Sequence, residues 1–169
     1  AGNLVPSPDH AGRWYDVARR LESYRSFIVE KPTFATDRSV RGTPLTNEQR
    51  DSLADAYQDD FRRSLSTLYT VTESPGPGVA RIRSAITQIG RSLNTQSGRR
   101  QDGGASSEME IVDSVSGERL AAVMEVEMGE DEHAPHTDRQ FYDARASFSH
   151  WAARLMLMLR DIDRLATRP

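Results

Sequence analysis

There is no cysteine among the 169 residues, which excludes disulfide bridges, thiol catalysis and thiolate metal ligation within them. An excess of basic charge is also missing: 22 Lys and Arg stand interspersed with 25 Asp and Glu, for a formal net charge of −3. A nucleic-acid-binding surface needs a dominant basic patch, so no nucleic-acid partner is expected. No apolar run approaches the ~20 residues of a membrane-spanning helix. Any membrane attachment therefore has to come from something these residues do not contain. The chain begins at Ala1 rather than at a methionine, which fits a processed or trimmed product and fits an arbitrarily chosen start equally. A phosphate-cradling loop is absent too. Pro75-Gly76-Pro77-Gly78 is the nearest approach to one, but it precedes a strand pattern and lacks the lysine and hydroxyl residue of such loops, so it reads as a turn.

What is present suits one globular domain of ordinary size, with 37% apolar and 28% charged residues. The organising stretch is Met109 to Val126, two strand patterns joined by a tight turn. A loop at Ser116-Gly117, or a longer one from Val115 to Glu118, sets Ser114 opposite Arg119 and puts Met109, Ile111, Leu120, Ala122 and Met124 on one face. A three-residue loop ending at Gly117 pairs Asp113 with Arg119 and moves Leu120 and Met124 to the face of Glu108 and Glu110. Burying a large apolar side chain gains roughly 1.5–3 kcal/mol, against roughly 0.2–1 kcal/mol for a cross-strand charge pair. The first register is therefore expected. It places Glu108 opposite Glu125, a repulsion that needs a basic neighbour.

Residues 1–22 read as a flexible leader in which Trp14, Val17, Ala18 and Leu21 recur at helical spacing and can form a short helix. Residues 23–169 read as a single α+β domain. Tyr24 to Phe34 is a strand pattern with Pro32 near its end. Thr46 followed by Gln49 fits a capping box, after which Leu53, Tyr57, Phe61, Leu65 and Leu68 share a helical face. Tyr69 to Thr72 is a short strand. From Val79, Ala80, Ile82 and Ile86 alternate with Arg81, Arg83 and Thr87, and these two arginines are the expected basic neighbours of Glu108, Glu110 and Glu125. Asn94 to Ser106 reads as a long connection between paired strands. Thr137 to Gln140 repeats the capping pattern before a helix whose stripe runs Phe141, Ala144, Phe148, Trp151, Leu155, Met158, Ile162 and Leu165. The expected fold is a two-layer α+β sandwich, an about five-stranded mixed or antiparallel sheet with two long helices on one face, in the order β-α-β-β-β-β-α.

His133 and His136 lie among Asp131, Glu132 and Asp138, a donor set for a divalent metal, but their spacing is loose and a solvated acidic loop is the commoner outcome. His150 is expected at a surface or rim, with no serine or acidic partner fixed by spacing. Asp113, beside Ser114-Val115-Ser116-Gly117, can accept hydrogen bonds from turn amides, a structural rather than catalytic role. No cofactor motif is found. The middle of the last helix, from Leu155 to Leu159, is apolar nearly all round; this is usual for core and also suits a partner surface.

Taken together, Tyr24 to Pro32, Leu45 to Leu65 with Tyr69 to Thr72, Pro75 to Val79 with Arg81 to Ile89, and Glu110 to Ala122 give the chain its likeness to known sequences. It resembles a family of proteobacterial lipoproteins classed only as a domain of unknown function (3313). The resemblance implies a secretory signal, a lipid-bearing cysteine just before a mature start such as Ala1-Gly2, and a periplasmic, membrane-anchored location. It carries no activity to transfer. The leading expectation is thus a non-enzymatic module for protein interaction or envelope assembly, its partner an envelope protein or a second copy. The second is a small-ligand or divalent-metal protein, with an enzyme among the options, using the His133 to Asp138 loop.

Overall fold

The computed structural model describes residues 4–6, 13–17, 21–35, 44–90, 93–94, 100–101, 104–128 and 141–166. Its strands are β1 (Val5–Pro6), β2 (Arg13–Val17), β3 (Ser26–Val29), β4 (Thr33–Phe34), β5 (Thr70–Val71), β6 (Val79–Ile89), β7 (Leu93–Asn94), β8 (Arg100–Gln101), β9 (Gly104–Asp113) and β10 (Arg119–Met128). The helices are α1 (Asn47–Leu65) and α2 (Tyr142–Ala166). The main sheet runs β1-β2-β10-β9-β6-β3-β5, with β4 also on β6, while β7 and β8 pair with each other. Strands β3 and β4 are parallel to β6 and β5 is parallel to β3, whereas β6, β9, β10 and β2 form antiparallel neighbours. The result is the expected two-layer α+β fold with a mixed sheet.

The hairpin is central, but its register differs from the expected one. Arg119 pairs with Val112, a bulge follows at Leu120, and from Ala121 onward Ala122 faces Glu110, Met124 faces Glu108 and Glu125 faces Ser107. The bulge is the physical reason. It lets Leu120 turn inward, 1% exposed, and then shifts the alternation so that Ala121 and Val123 are buried in place of Ala122 and Met124. The apolar gain that seemed to require the other register is thus kept. Glu125 consequently lies on the helix side, 3% exposed, and not opposite Glu108.

Toward the N-terminus, Arg13–Val17 is a strand paired to β10, where a short helix was expected. A short 3-10 turn at Leu21–Ser23 follows, and the expected Tyr24 to Phe34 strand is divided into β3 and β4 around Pro32. The Asn94 to Ser106 connection includes strand residues at both ends, since Asn94 closes β7 and Gly104 opens β9, with β8 between them.

Helix α1 starts where its capping residues place it. The Gln49 amide donates to Thr46 Oγ1 at 3.1 Å and the Thr46 amide donates to Gln49 Oε1 at 3.0 Å. Leu53, Tyr57, Phe61 and Leu65 of its stripe are buried, while Leu68 falls past the last turn and is exposed. On α2 the stripe from Phe141 to Leu155 is buried, Met158 and Ile162 are partly covered, and Leu165 is exposed. The two stripes meet through aromatic rings: Tyr57 stacks on Phe61 at 4.4 Å between centroids and meets Phe148 edge-on at 5.2 Å. Polar ties add to the packing, with Ser64 Oγ of α1 donating to the Ala152 carbonyl of α2 and Gln58 Nε2 of α1 to the Val29 carbonyl of β3.

Candidate functional site

Three groups of polar side chains stand out, and the first is a corner made by two turns. At the hairpin tip, Asp113 Oδ1 accepts from the amides of Val115 and Ser116 at 3.0 and 2.6 Å and from the Ser116 hydroxyl at 2.9 Å. The Tyr24 hydroxyl donates to the other carboxylate oxygen at 2.9 Å. These donors, led by the Ser116 amide and then Tyr24, hold the Asp113 carboxyl down at about 2. Gly117, with φ +75°, completes the turn in the left-handed region that favours glycine. The Pro75 to Gly78 turn docks here: Ser114 Oγ accepts from the Gly76 amide at 3.1 Å and the Ser114 amide donates to the Val79 carbonyl at 3.0 Å. Asp113, Gly117 and Pro75 to Gly78 are therefore neighbours in one corner whose polar atoms bond to each other.

A second group lies on the sheet face away from the helices. Arg81 donates to Glu30 at 2.6 Å, and Arg83 stands 3.7 Å from Glu30 and 3.8 Å from Glu110. The expected neighbourhood of Arg81 and Arg83 is thus partly corrected. Arg83 meets Glu110, while Arg81 turns to Glu30 and Glu125 is on the other face.

The third group bridges β10 and α2. Arg154 Nε is 3.5 Å from Glu125, Arg154 Nη2 donates to Glu127 at 2.5 Å, and His150 Nδ1 bonds the second Glu127 oxygen at 2.6 Å. His150 is exposed, as expected, but it has an acidic partner that spacing in the sequence did not reveal. Glu30, Glu127, Arg154 and Tyr24 were all missed. A usable signal existed for two pairs: Glu125 and Glu127 alternate along a strand, while His150 and Arg154 recur at i, i+4 on a helix, so each pair shares a face.

Asp131, His133, His136 and Asp138 lie outside the described residues, as does the capping pattern at Thr137 to Gln140. Among the described residues, no group of three His, Asp or Glu side chains is placed to hold a metal. An open acidic depression on α1, lined by Glu48, Asp51, Asp55 and Asp59, is bordered by Arg145, which donates to Ser52 Oγ at 2.6 Å. Among these residues no helix is long and apolar enough to cross a membrane.

Comparison with known proteins places the fold. No curated protein matches the sequence. Among solved structures, protein XCC0632 from Xanthomonas campestris is 12% identical, with 84% of this chain and 89% of that one covered at a TM-score of 0.53. A PelC dodecamer from Paraburkholderia phytofirmans is 12% identical, covering 93% and 98% at a TM-score of 0.49. A minor lipoprotein from Acinetobacter baumannii is 8% identical, covering 82% and 94% at 0.44. Residues 3–155 match the family described as Protein of unknown function (DUF3313), and the chain belongs to that family.

Proposed function

We propose that this protein is a non-enzymatic, lipid-anchored domain of the bacterial envelope that works by binding another envelope protein. The observation that carries this reading is where the unused surface lies. Asp113, His150, Arg81 and Arg83, the side chains best suited to chemistry, are engaged in ties between elements. By contrast, several large apolar side chains remain exposed, at the hairpin tip and sheet edge and also along α2 and beside its end. Leu157 and Leu165 are 38% and 67% exposed, and Leu68 is 55% exposed. Leu68 adjoins Tyr69, whose hydroxyl donates to Asp163 of α2 at 2.8 Å, so the turn after α1 and the last turns of α2 sit together. Exposed apolar side chains that neighbour one another, as Leu68 and the last turns of α2 do, are what a partner protein covers. The lipid anchor follows from the family resemblance, which implies a processed N-terminus carrying acyl chains.

Two measurements test the reading. Radiolabelled palmitate fed to cells making the full precursor is expected to label it, and no label removes the anchor. A photocrosslinking residue at position 157 or 165 in envelope fractions is expected to give one discrete adduct, identified by mass, that position 48 does not give. Equal or absent adducts at all three positions count against a partner on this end.

A further inference from the structure

Three hydroxyl groups are sealed between α1 and the sheet. Tyr57 and Ser107 are fully buried and Ser84 is 8% exposed. Ser107 pairs with Ile86 and Ser84 with Met109, so the serines project inward from adjacent strands as diagonal neighbours. The Tyr57 hydroxyl comes down close enough to interact with both of them, and the Glu125 charge also acts on it. Yet none of these three oxygens makes a hydrogen bond of full distance and angle within the protein, and neither does the buried indole N–H of Trp151, whose ring centroid is 6.5 Å from that of Tyr57. On the third strand of the same row, opposite Ser107, stands Glu125. From Glu125 polar atoms continue through Arg154 and Glu127 to the exposed His150, along the seam between β10 and α2.

Buried hydroxyls left unpaired are unfavourable and uncommon, and apolar packing around them does not relieve the loss. Hydroxyls that converge without well-aligned hydrogen bonds to one another are the arrangement that an enclosed water bridges, since water both donates and accepts and needs two to four polar partners. We propose that the hydroxyls of Tyr57, Ser84 and Ser107 form an internal binding site for one water molecule, which ties α1 to β6 and β9 through the middle of the core. The polar seam at Glu125 and Arg154 is its route of exchange with solvent.

Oxygen-17 magnetic relaxation dispersion on the intact chain, with labelled water as the probe, tests this. The wild type is expected to show a long-lived component that a Tyr57→Phe, Ser107→Ala double variant lacks, with an amplitude lower by one water. Tyr57→Phe alone keeps the ring packing on Phe61 and Phe148 and is expected to shorten the residence time roughly tenfold, the loss of one hydrogen bond. This single variant decides the question if the double variant does not fold. A high-resolution crystal structure should place solvent density within hydrogen-bond distance of all three oxygens. Unchanged dispersion in the folded single variant, or direct hydroxyl-to-hydroxyl bonds with no density between them, overturns the proposal.

Discussion

At the scale of single residues, Asp113 has the most distinctive environment. Its carboxylate is stabilised by turn amides, a serine hydroxyl and Tyr24, so its folded pKa of about 2 lies below the ordinary 3.8. Because the folded value is depressed, the stability it contributes is present above 3.8 and is lost as pH falls through about 2. Asp113→Asn is expected to be less stable than the wild type near neutrality, with the gap closing from about pH 5 to about pH 2. Urea titrations across that range measure it, and a gap independent of pH contradicts the assignment. The turn role of Asp113 and Gly117, and the bend at Pro75 to Gly78, were legible because turn chemistry is set by residues within a few positions of each other. Tyr24 was not legible as the fourth donor, since nothing local relates it to a residue 89 positions away.

Among elements, the seam between β10 and α2 is the most exposed to a single change. Glu125 is 3% exposed and forms an ion pair at 3.5 Å with the Arg154 guanidinium, itself 18% exposed in its side chain. Arg154→Ala removes that guanidinium from a buried carboxylate and is expected to destabilise the domain by about 3 kcal/mol, whereas Arg154→Met combined with Glu125→Leu recovers most of the loss. Thermal and urea unfolding of the three variants decide it; a double variant no better than the single one argues against a charge penalty. The helices were read correctly because their apolar stripes and the Thr46 cap are strong periodic and local signals. The hairpin register was not. A bulge at Leu120 changes the parity of a strand halfway along, and alternation counted from the turn carries no mark of it. Trp14 to Leu21 misled for a similar reason: a few apolar residues fit period 3.6 by chance, while sheet pairing with β10 determined the outcome.

For the whole molecule, the fold class followed from the order of the long elements, but the breadth of the sheet did not, since two-residue strands such as β1 and β5 leave almost no pattern. The N-terminal strands give a test at this scale. Deleting residues 1–20 uncovers β10, a strand of ten residues, as a free sheet edge. The truncated chain is expected to keep its core and to self-associate with rising concentration in light scattering. A monomer at every concentration shows that β2 is not needed as an edge cover. Between β2 and β3 the chain passes from one flank of the β10-β9-β6 meander to the other, and Leu21, on that path, is 2% exposed in the core. This strap has a mechanical consequence. A pull on the N-terminus directed away from the sheet edge meets the β1–β2 and β2–β10 bond pairs first and the buried Leu21 after them. The edge strands take that load against β10 of the hairpin, while β3 and β6 lie beyond the Leu21 wedge.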